Sequence, residues 1–549
     1  MMLQLVALRR FPVTLLITAE RQGRYHFRPL SSISKSEKRV RSSYCIQTCT
    51  KPLSPDTLGT YVDRAAEKFG DRVGWAFVQE GKQCTFTDFK HQASIHFALT
   101  TPEVERYLNT VGFKGVFIAE PFKLCNYYEV LSTLIPELRH SKPGQLNCAK
   151  YPFLKAVIAD GDQKAPGCVS LREVMQSGEA KLREPQERVS MDDPLTILFT
   201  SGTTGSPKAA VLSHHNFVNN VVAYHYRHNF SEDMVVCNPL PFFHAYGLSL
   251  AVGRTLIYGV KAVVPSPSYD VGALLKAIQE HRCTDISGSP TMYVDMIRSP
   301  LLKLYDVSSL KSVMCGGNVV TPSIRKLIRE SLNTSVGVGY GATELTMAAI
   351  ALFDDDPEDK KMHTVGQPLP CLEVKIADPA TGLEQPIGMP GEVWCRGHNV
   401  FLGYYNDERK TRECITRAGW YKTGDVGVMD EDGYVTIVSR IKDIVIRGGE
   451  NIFPAEVEEV LNTHPAIHES LVIGVTDERM GEELCAWIVL KVNAEVTDEE
   501  LRHHCEGKLT RFKIPRYFIY DPKVPRTAVG KAQKAKMRPL AAQFLGLTN

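Results

Sequence analysis

The sequence predicts an α/β protein with a smaller antiparallel unit and a compact C-terminal piece. Three observations carry that expectation. From residue 195 onward, short apolar runs alternate with amphipathic stretches of about ten or more residues, which implies a mostly parallel sheet with helices on both faces. Near residue 370 the alternation gives way to short strands split by Gly and Pro turns, the pattern of an antiparallel unit. Beyond about residue 440 a short βαβ-like piece follows.

In chain order, the first segment is unlike the rest. Arg9, Arg10, Arg21, Arg24, Arg28, Lys35, Lys38, Arg39 and Arg41 are opposed there by Glu20 and Glu37 alone, and serines recur from Ser31 to Ser43. Arg-rich, Ser-rich and acid-poor with apolar patches describes a mitochondrial transit peptide, so residues 1–45 are set aside as leader and a matrix location is expected. Next, 55–70 reads as an amphipathic helix, with Thr57 as N-cap and Gly70 as stop. Strands follow at 73–78 and 84–86, a helix opens at Thr87, and a strand at 116–119 precedes a helix at 126–135. A strand is expected at 155–159 and a buried one at 195–199. Ser213 caps a helix through Tyr226. Strands at 234–237, 262–264, 310–314 and 336–338 alternate with helices at 246–258 and 270–281 and one begun by Thr321-Pro322. The antiparallel unit takes 372–376, 391–396, 433–438 and 443–447. Helices at 454–463 and 497–509 and strands at 470–475 and 484–490 complete the chain.

Composition narrows the function. At 549 residues the chain exceeds one ordinary domain. The net charge of +2 gives no argument for nucleic acid as a partner. No uncharged apolar run is long enough for a transmembrane segment. The 14 cysteines are scattered without any C-x-x-C, which argues for isolated thiols over a zinc site or a disulfide framework.

Five motifs carry chemistry. The strand at 195–199 runs into Thr200, Ser201, Gly202, Thr203, Thr204, Gly205, Ser206, Pro207 and Lys208. Glycine lets backbone approach a ligand, N–H and O–H groups then point at it, and the lysine suits a phosphate, although the spacing is not that of a Walker loop. Gly339-Tyr-Gly-Ala-Thr-Glu344 follows the strand at 336–338. There Tyr340 can stack on a flat base, Thr343 can bond a phosphate and Glu344 can hold Mg²⁺, which prefers carboxylate and phosphate oxygens. Asp425, after a Thr-Gly turn, can accept both hydroxyls of a ribose. Arg440 and Lys442 stand where the composition changes, a candidate hinge, and Gly448-Gly449 follow. Lys531 ends Val524-Pro-Arg-Thr-Ala-Val-Gly-Lys and can carry positive charge to another domain. Alone, each also reads as a turn, a hairpin or a solvated lysine.

In this order and spacing the motifs resemble the adenylate-forming superfamily of acyl-CoA synthetases, luciferases and peptide-synthetase adenylation domains. The likeness covers about 53–545. Arg447 to Ile452, Arg479 to Glu483 and Phe512-Lys-Ile-Pro515 place it closest to the mitochondrial medium-chain acyl-CoA synthetases. The resemblance implies an AMP-binding domain at 53–440, built of α/β sheet subdomains plus a small β-barrel-like subdomain. A small mobile α+β C-terminal AMP-binding domain at 441–549 would follow. It implies ATP and coenzyme A as co-substrates, a fatty acid as substrate, and Mg²⁺ held by Thr200 and Glu344. Nucleotide binding falls to 200–208, Tyr340, Asp425 and Arg440, and catalysis to Lys531, Thr343, Glu344 and His244. Lys442 would be the hinge, and Gly448, Gly449 and Glu450 would meet coenzyme A. His244 matches a position beside the acyl pocket, though a core histidine capping a helix explains it equally. Two departures stand out. Ala209 replaces the usual glycine after Lys208, and around 92–106 more than one βαβ unit of the N-terminal sheet is missing. The second departure gives the alternative reading, a catalytically impaired or regulatory acyl- and nucleotide-binding isoform.

Overall fold

The computed structural model describes residues 17–19, 25–27, 42–48, 52–92, 101–118, 126–160, 165–176, 189–200, 208–526 and 532–547. Among these, a nine-stranded sheet forms the centre. Six of its strands are parallel, in the order Ser335–Tyr340, Ser312–Cys315, Asp285–Gly288, Val235–Cys237, Lys261–Val264 and Val73–Phe77. Antiparallel strands close its edges: Lys82–Thr85 on one side, Ile350–Ala351 and Gln367–Pro368 on the other. Side chains of successive strand residues point to opposite faces. Trp75, Val236 and Ala262 therefore pack with Phe217, Val221 and Leu256, whereas Ala76, Cys237 and Val263 pack with Leu274, Ile278 and Ile328. The sheet is covered on both faces, as the near-continuous apolar character of its strands requires.

Local chemistry sets the helices where expected. Thr57 accepts from Thr60 N at 3.2 Å at the start of Leu58–Phe69, and Gly70 ends it at φ 54°. Ser213 and Asn216 form a reciprocal capping box on His214–His228. Thr321 caps Pro322–Leu332, with proline in its first turn. The helix expected at 246–258 is continuous in space but contains a π segment, Ser249–Gly253, between Ala245–Leu248 and Arg254–Tyr258. A Cβ at Gly253 would lie 2.8 Å from Val221 and 2.9 Å from Phe217, so the wide turn seats directly on the neighbouring helix.

The structure departs from expectation at four places. The strand Pro194–Thr200 lies outside the central sheet. It forms an antiparallel hairpin with Lys208–Ser213, which then pairs with Gly403–Tyr404. A connection this short cannot carry a parallel crossover, so a hairpin is the only closure. The central strand Asp285–Gly288 and the helix Pro290–Arg298 carry no strong sequence signal. Val445–Arg447 joins the C-terminal sheet, with Glu450–Ile452 and Gly481–Leu490, and leaves the antiparallel unit. Finally, Tyr44–Ile46 pairs with Leu372–Ala377, inside the stretch set aside as leader. Ser43 is fully buried, so the fold begins no later than Ser43.

The antiparallel unit is a five-stranded sheet of Val435–Arg440, Tyr421–Met429, Gly391–Gly397, Leu372–Ala377 and Tyr44–Ile46. A three-stranded parallel sheet, Gly115–Ile118, Ala156–Ala159 and Val169–Ser170, carries its own core. Val104 and Leu108 of helix Thr101–Thr110 pack there with Ile118, Leu131 and Val157. In the C-terminal domain, Ile467–Asp477 and Gly481–Leu490 form a long antiparallel pair, extended by Tyr517–Tyr520 and backed by helices Pro454–Asn462 and Asp498–Cys505. No helix among the described residues is long and apolar enough to cross a membrane. The described cysteines are free thiols.

Candidate active site

A cleft of about 1160 Å³ opens between the two domains. On the large-domain side it is lined by Gly317, Asn318, Tyr340, Asp425 and Arg440; on the small-domain side by Glu458, His468, Arg526 and Lys534. The strand Ser335–Tyr340 ends here, at the carboxyl edge of the parallel sheet, where loops of such sheets leave room for ligands.

Asp425 organises the large-domain wall. The strand pairing sets Asp425 opposite Arg440, and Arg440 Nε meets Oδ1 at 2.8 Å. The Tyr340 hydroxyl donates to Oδ2 at 2.7 Å. Burial and the Asp425 carboxylate push the Tyr340 phenol well above its usual value, and the same carboxylate raises Arg440. Tyr340 therefore stays neutral and donating. Each carboxylate oxygen keeps a second lone pair, so the pair of ribose hydroxyls expected at Asp425 still has acceptors. The Thr423 hydroxyl accepts from Asp425 N at 3.0 Å and fixes the turn.

Glu344 sits behind this wall. The backbone folds sharply from Tyr340 to Ala349, and the Ala349 N–H returns to the Tyr340 carbonyl at 2.9 Å. Gly341 is obligatory, because a Cβ there would lie 1.9 Å from the Met347 carbonyl oxygen. Thr343 opens the 3₁₀ turn Thr343–Leu345. Thr346, a β-branched residue, is held at φ 65°, and its hydroxyl donates to Asn399 O at 2.9 Å. The Glu344 carboxylate is buried and accepts from the Tyr404 hydroxyl at 2.7 Å. Lys208 Nζ lies 4.7 Å from the Tyr404 ring, so Tyr404 links the end of the glycine-rich loop to Glu344. Burial, followed by the Glu344 charge, raises the Tyr404 phenol.

Glu344 offers one carboxylate and Thr200 one hydroxyl, the oxygen donors that a hard cation such as Mg²⁺ prefers. The described residues hold no group of three or more His, Cys, Asp or Glu side chains that could bind a metal. An ion at Glu344 would then share one protein carboxylate with nucleotide phosphates and water, a common arrangement for Mg²⁺.

Several expected site residues stand elsewhere. Ser201, Gly202, Thr203, Thr204, Gly205, Ser206, Pro207 and Lys531 lie outside the described residues. Thr200 and Lys208 face each other at the base of the first loop. The second loop is closed at its base by a bridge between Arg526 and Ala532, both on the cleft. Ala209 is buried without conflict, and its carbonyl accepts from Tyr405 N at 2.8 Å. His244 does not line the cleft; it caps Ala245–Leu248, its Nδ1 accepting from Tyr246 N at 3.3 Å. Lys442 lies in the turn Ile441–Asp443, and its carbonyl accepts from Arg538 at 2.9 Å. Gly448 and Gly449, at φ 60° and 90°, form the two-residue turn of a hairpin ending in Glu450, away from the cleft lining.

Sequence reasoning missed Asn318, Tyr404 and Asn220. Gly316-Gly317-Asn318 directly follows a central strand, a turn signal at a carboxyl edge that marks a candidate ligand loop. Asn220 grips the Ala348 peptide from a buried helix face, with Nδ2 to O at 2.6 Å and N to Oδ1 at 3.1 Å. Neither Asn220 nor Tyr404 has a local sequence signal.

Comparison with known proteins agrees with the geometry. The profile of the AMP-binding enzyme family matches residues 93–405, and that of the AMP-binding enzyme C-terminal domain matches 456–531. The mitochondrial medium-chain acyl-CoA ligase ACSF2 of Danio rerio is 37% identical over 561 residues, covering 92% of each chain. The Homo sapiens protein of the same name is 39% identical over 560 residues, covering 91% of this chain and 90% of that one. The anthranilate CoA ligase AuaEII, solved in complex with anthranoyl-AMP, shares the fold with a TM-score of 0.77 at 21% identity, covering 90% of this chain and 99% of that one. The chain therefore belongs to the AMP-binding enzyme family, the adenylate-forming ligases.

Proposed function

We propose that the protein is a fatty acyl-CoA synthetase acting on medium-chain acids in the mitochondrial matrix. The observation that carries this reading is the two-domain cleft. It sets Tyr340, Asp425 and Arg440 opposite the base of the loop bearing Lys531. The names of the relatives support the medium-chain substrate and the mitochondrial setting.

A carboxylate is a poor acyl donor to a thiol, because its oxygen is a poor leaving group. ATP removes that obstacle. A carboxylate oxygen of the acid attacks the α-phosphorus, pyrophosphate leaves, and acyl-AMP forms. Asp425 takes the ribose hydroxyls, Tyr340 covers the base, and Arg440 holds Asp425 in place. Lys208, the N–H groups of 201–206 and Lys531 oppose the charge that builds on the phosphates. Glu344 and Thr200 would hold Mg²⁺, which neutralises phosphate charge when bound. The coenzyme A thiolate then attacks the acyl carbon and AMP departs. Gly448, Gly449 and Glu450 serve this second step after the C-terminal domain turns about Lys442. Thr343 holds a phosphate oxygen, whereas His244, capping its helix outside the cleft lining, is left a structural role.

The test is an acyl-length series in a coenzyme-A-dependent AMP-release assay on purified protein. Medium-chain acids should give the highest kcat/KM. A preference for short or long chains overturns the chain-length assignment. ATP–pyrophosphate exchange without thioester formation moves the protein to another acyl acceptor. The shortening that the resemblance implies around 92–106 motivates a second reading as an impaired binding isoform. Nucleotide binding without AMP release for any acid selects that reading.

A further inference from the structure

The two domains meet through charged side chains that the reaction scheme leaves without a role. Arg298 ends the helix Pro290–Arg298 of the large domain and projects across the cleft. Its guanidinium donates to His468 O at 3.2 Å and contacts His468 Nδ1. His468 is the second residue of the strand Ile467–Asp477 of the small domain. The next residue, Glu469, pairs with Arg526, which is bridged to Ala532 at the base of the loop that carries Lys531. On the far side of that loop, Lys534 pairs with Glu458 at 2.6 Å, and both side chains are largely buried. Gln533 closes the base again, its Nε2 donating to Arg526 O at 3.2 Å and its N–H to Pro525 O at 2.8 Å. A continuous line of contacts thus runs from a rigid large-domain helix to the loop base, through one strand end.

The line also depends on orientation. His468, Glu469, Arg526 and Lys534 line the cleft, whereas the Gly448–Gly449 turn does not. A rotation that brought that turn to the cleft would part Arg298 from His468. The contact therefore belongs to the arrangement in which the Lys531 loop base faces Asp425.

We propose that Arg298 is a positioning residue: by gripping His468 it fixes the small domain in the orientation that serves adenylation, through Glu469 and Arg526 at the base of the Lys531 loop. This rests on the reading of Lys531 as the residue that stabilises the α-phosphate. Arg298 touches no reacting atom. It raises the fraction of molecules in which the loop base faces the nucleotide wall, and so acts on the rate of one half-reaction only.

The experiment measures both half-reactions of full-length protein. Arg298→Ala should lower the maximal rate of acid-dependent ATP–pyrophosphate exchange by roughly tenfold, the effect of losing one charged hydrogen bond that biases two states. Thioester formation from supplied acyl-AMP should be unchanged or faster, and the unfolding temperature unchanged, because Arg298 is exposed at a helix end. Arg298→Lys, which keeps a cation able to reach the His468 carbonyl, should recover part of the exchange rate. Equal loss of both half-reactions, or normal exchange in Arg298→Ala, overturns the proposal. Lys531→Ala measured alongside separates the two ideas. If it exchanges normally, the reading of the loop fails and the positioning role with it. If it is inactive while Arg298→Ala exchanges normally, the positioning role alone falls.

Discussion

Asp425 accepts from Arg440 at 2.8 Å and from Tyr340 at 2.7 Å, and the geometry of the large-domain wall of the cleft follows from these two bonds. Behind it, the Glu344 turn costs local strain: Thr346 at φ 65° is a conformation that a β-branched side chain avoids. The turn persists because buried groups over-determine it, among them Asn220 and Asn399, which both donate to the Ala348 carbonyl. His398 lies in the same buried region, packed near His215, with its Nε2–H donating to Pro370 O at 3.3 Å. Burial lowers its pKa from the usual 6.5 to about 4. The sign follows directly. Below pH 6.5 the unfolded chain takes up a proton at this position that the folded chain refuses. Stability therefore falls as pH drops from 6.5 toward 4, by about 2 kcal/mol at pH 5. His398→Gln keeps an N–H donor for Pro370 and cannot titrate. Its unfolding midpoint in denaturant should change less between pH 6.5 and pH 5 than that of the parent chain. An unchanged slope would show that other groups govern the acid response.

At the scale of single elements, the strand Tyr44–Ile46 straddles the end of the stretch that the sequence sets aside as leader. Ser43 donates from N to Gln385 O at 3.1 Å and from Oγ to Pro386 O at 2.9 Å, and its carbonyl accepts from Ile376 N at 2.8 Å. Tyr44 donates to Glu373 at 2.7 Å and meets the Trp420 ring edge-on. A chain that starts at Ser42 should melt with the full-length protein. A chain that starts at Pro52 should melt several degrees lower, since each kcal/mol lost shifts the midpoint of a large domain by about 2–4 °C. Equal melting of the two truncations would mean that the strand adds nothing. The strand was not legible because three residues after a basic, serine-rich run are too few to show periodicity. Asp285–Gly288 escaped for the opposite reason. It lies at the centre of the sheet, yet Asp285 and Ser287 break its apolar run, and its stability comes from neighbours on both sides. The capped helices were legible because Thr57, Ser213 and Thr321 announce their own starts. The wall residues Tyr340, Asp425 and Arg440 were legible through motif spacing. Tyr404 and Arg298 were not, because their partners are far away in sequence.

At the scale of the whole molecule, two domains share one turn of chain. Ile441–Asp443 joins them, Arg440 on one side pairs with Asp425 in the large-domain wall of the cleft, and Arg538 grips the Lys442 carbonyl from the other. Lys442→Pro fixes φ at this point. It should leave ATP–pyrophosphate exchange near the parent level and depress thioester formation from supplied acyl-AMP by tenfold or more. Normal thioester turnover would place the pivot elsewhere. The pairing of Asp425 with Arg440 has one further consequence. In the proposed scheme the residue that takes the sugar, Asp425, is bonded to Arg440, two positions before the proposed pivot, so grip and rotation would share a strand end. Thermodynamic reciprocity then applies: whatever factor a bound nucleotide exerts on the balance of orientations, orientation returns to nucleotide affinity. On the proposed scheme, an enzyme built this way would need no separate signal to order its half-reactions, because occupancy of the nucleotide pocket would set their sequence.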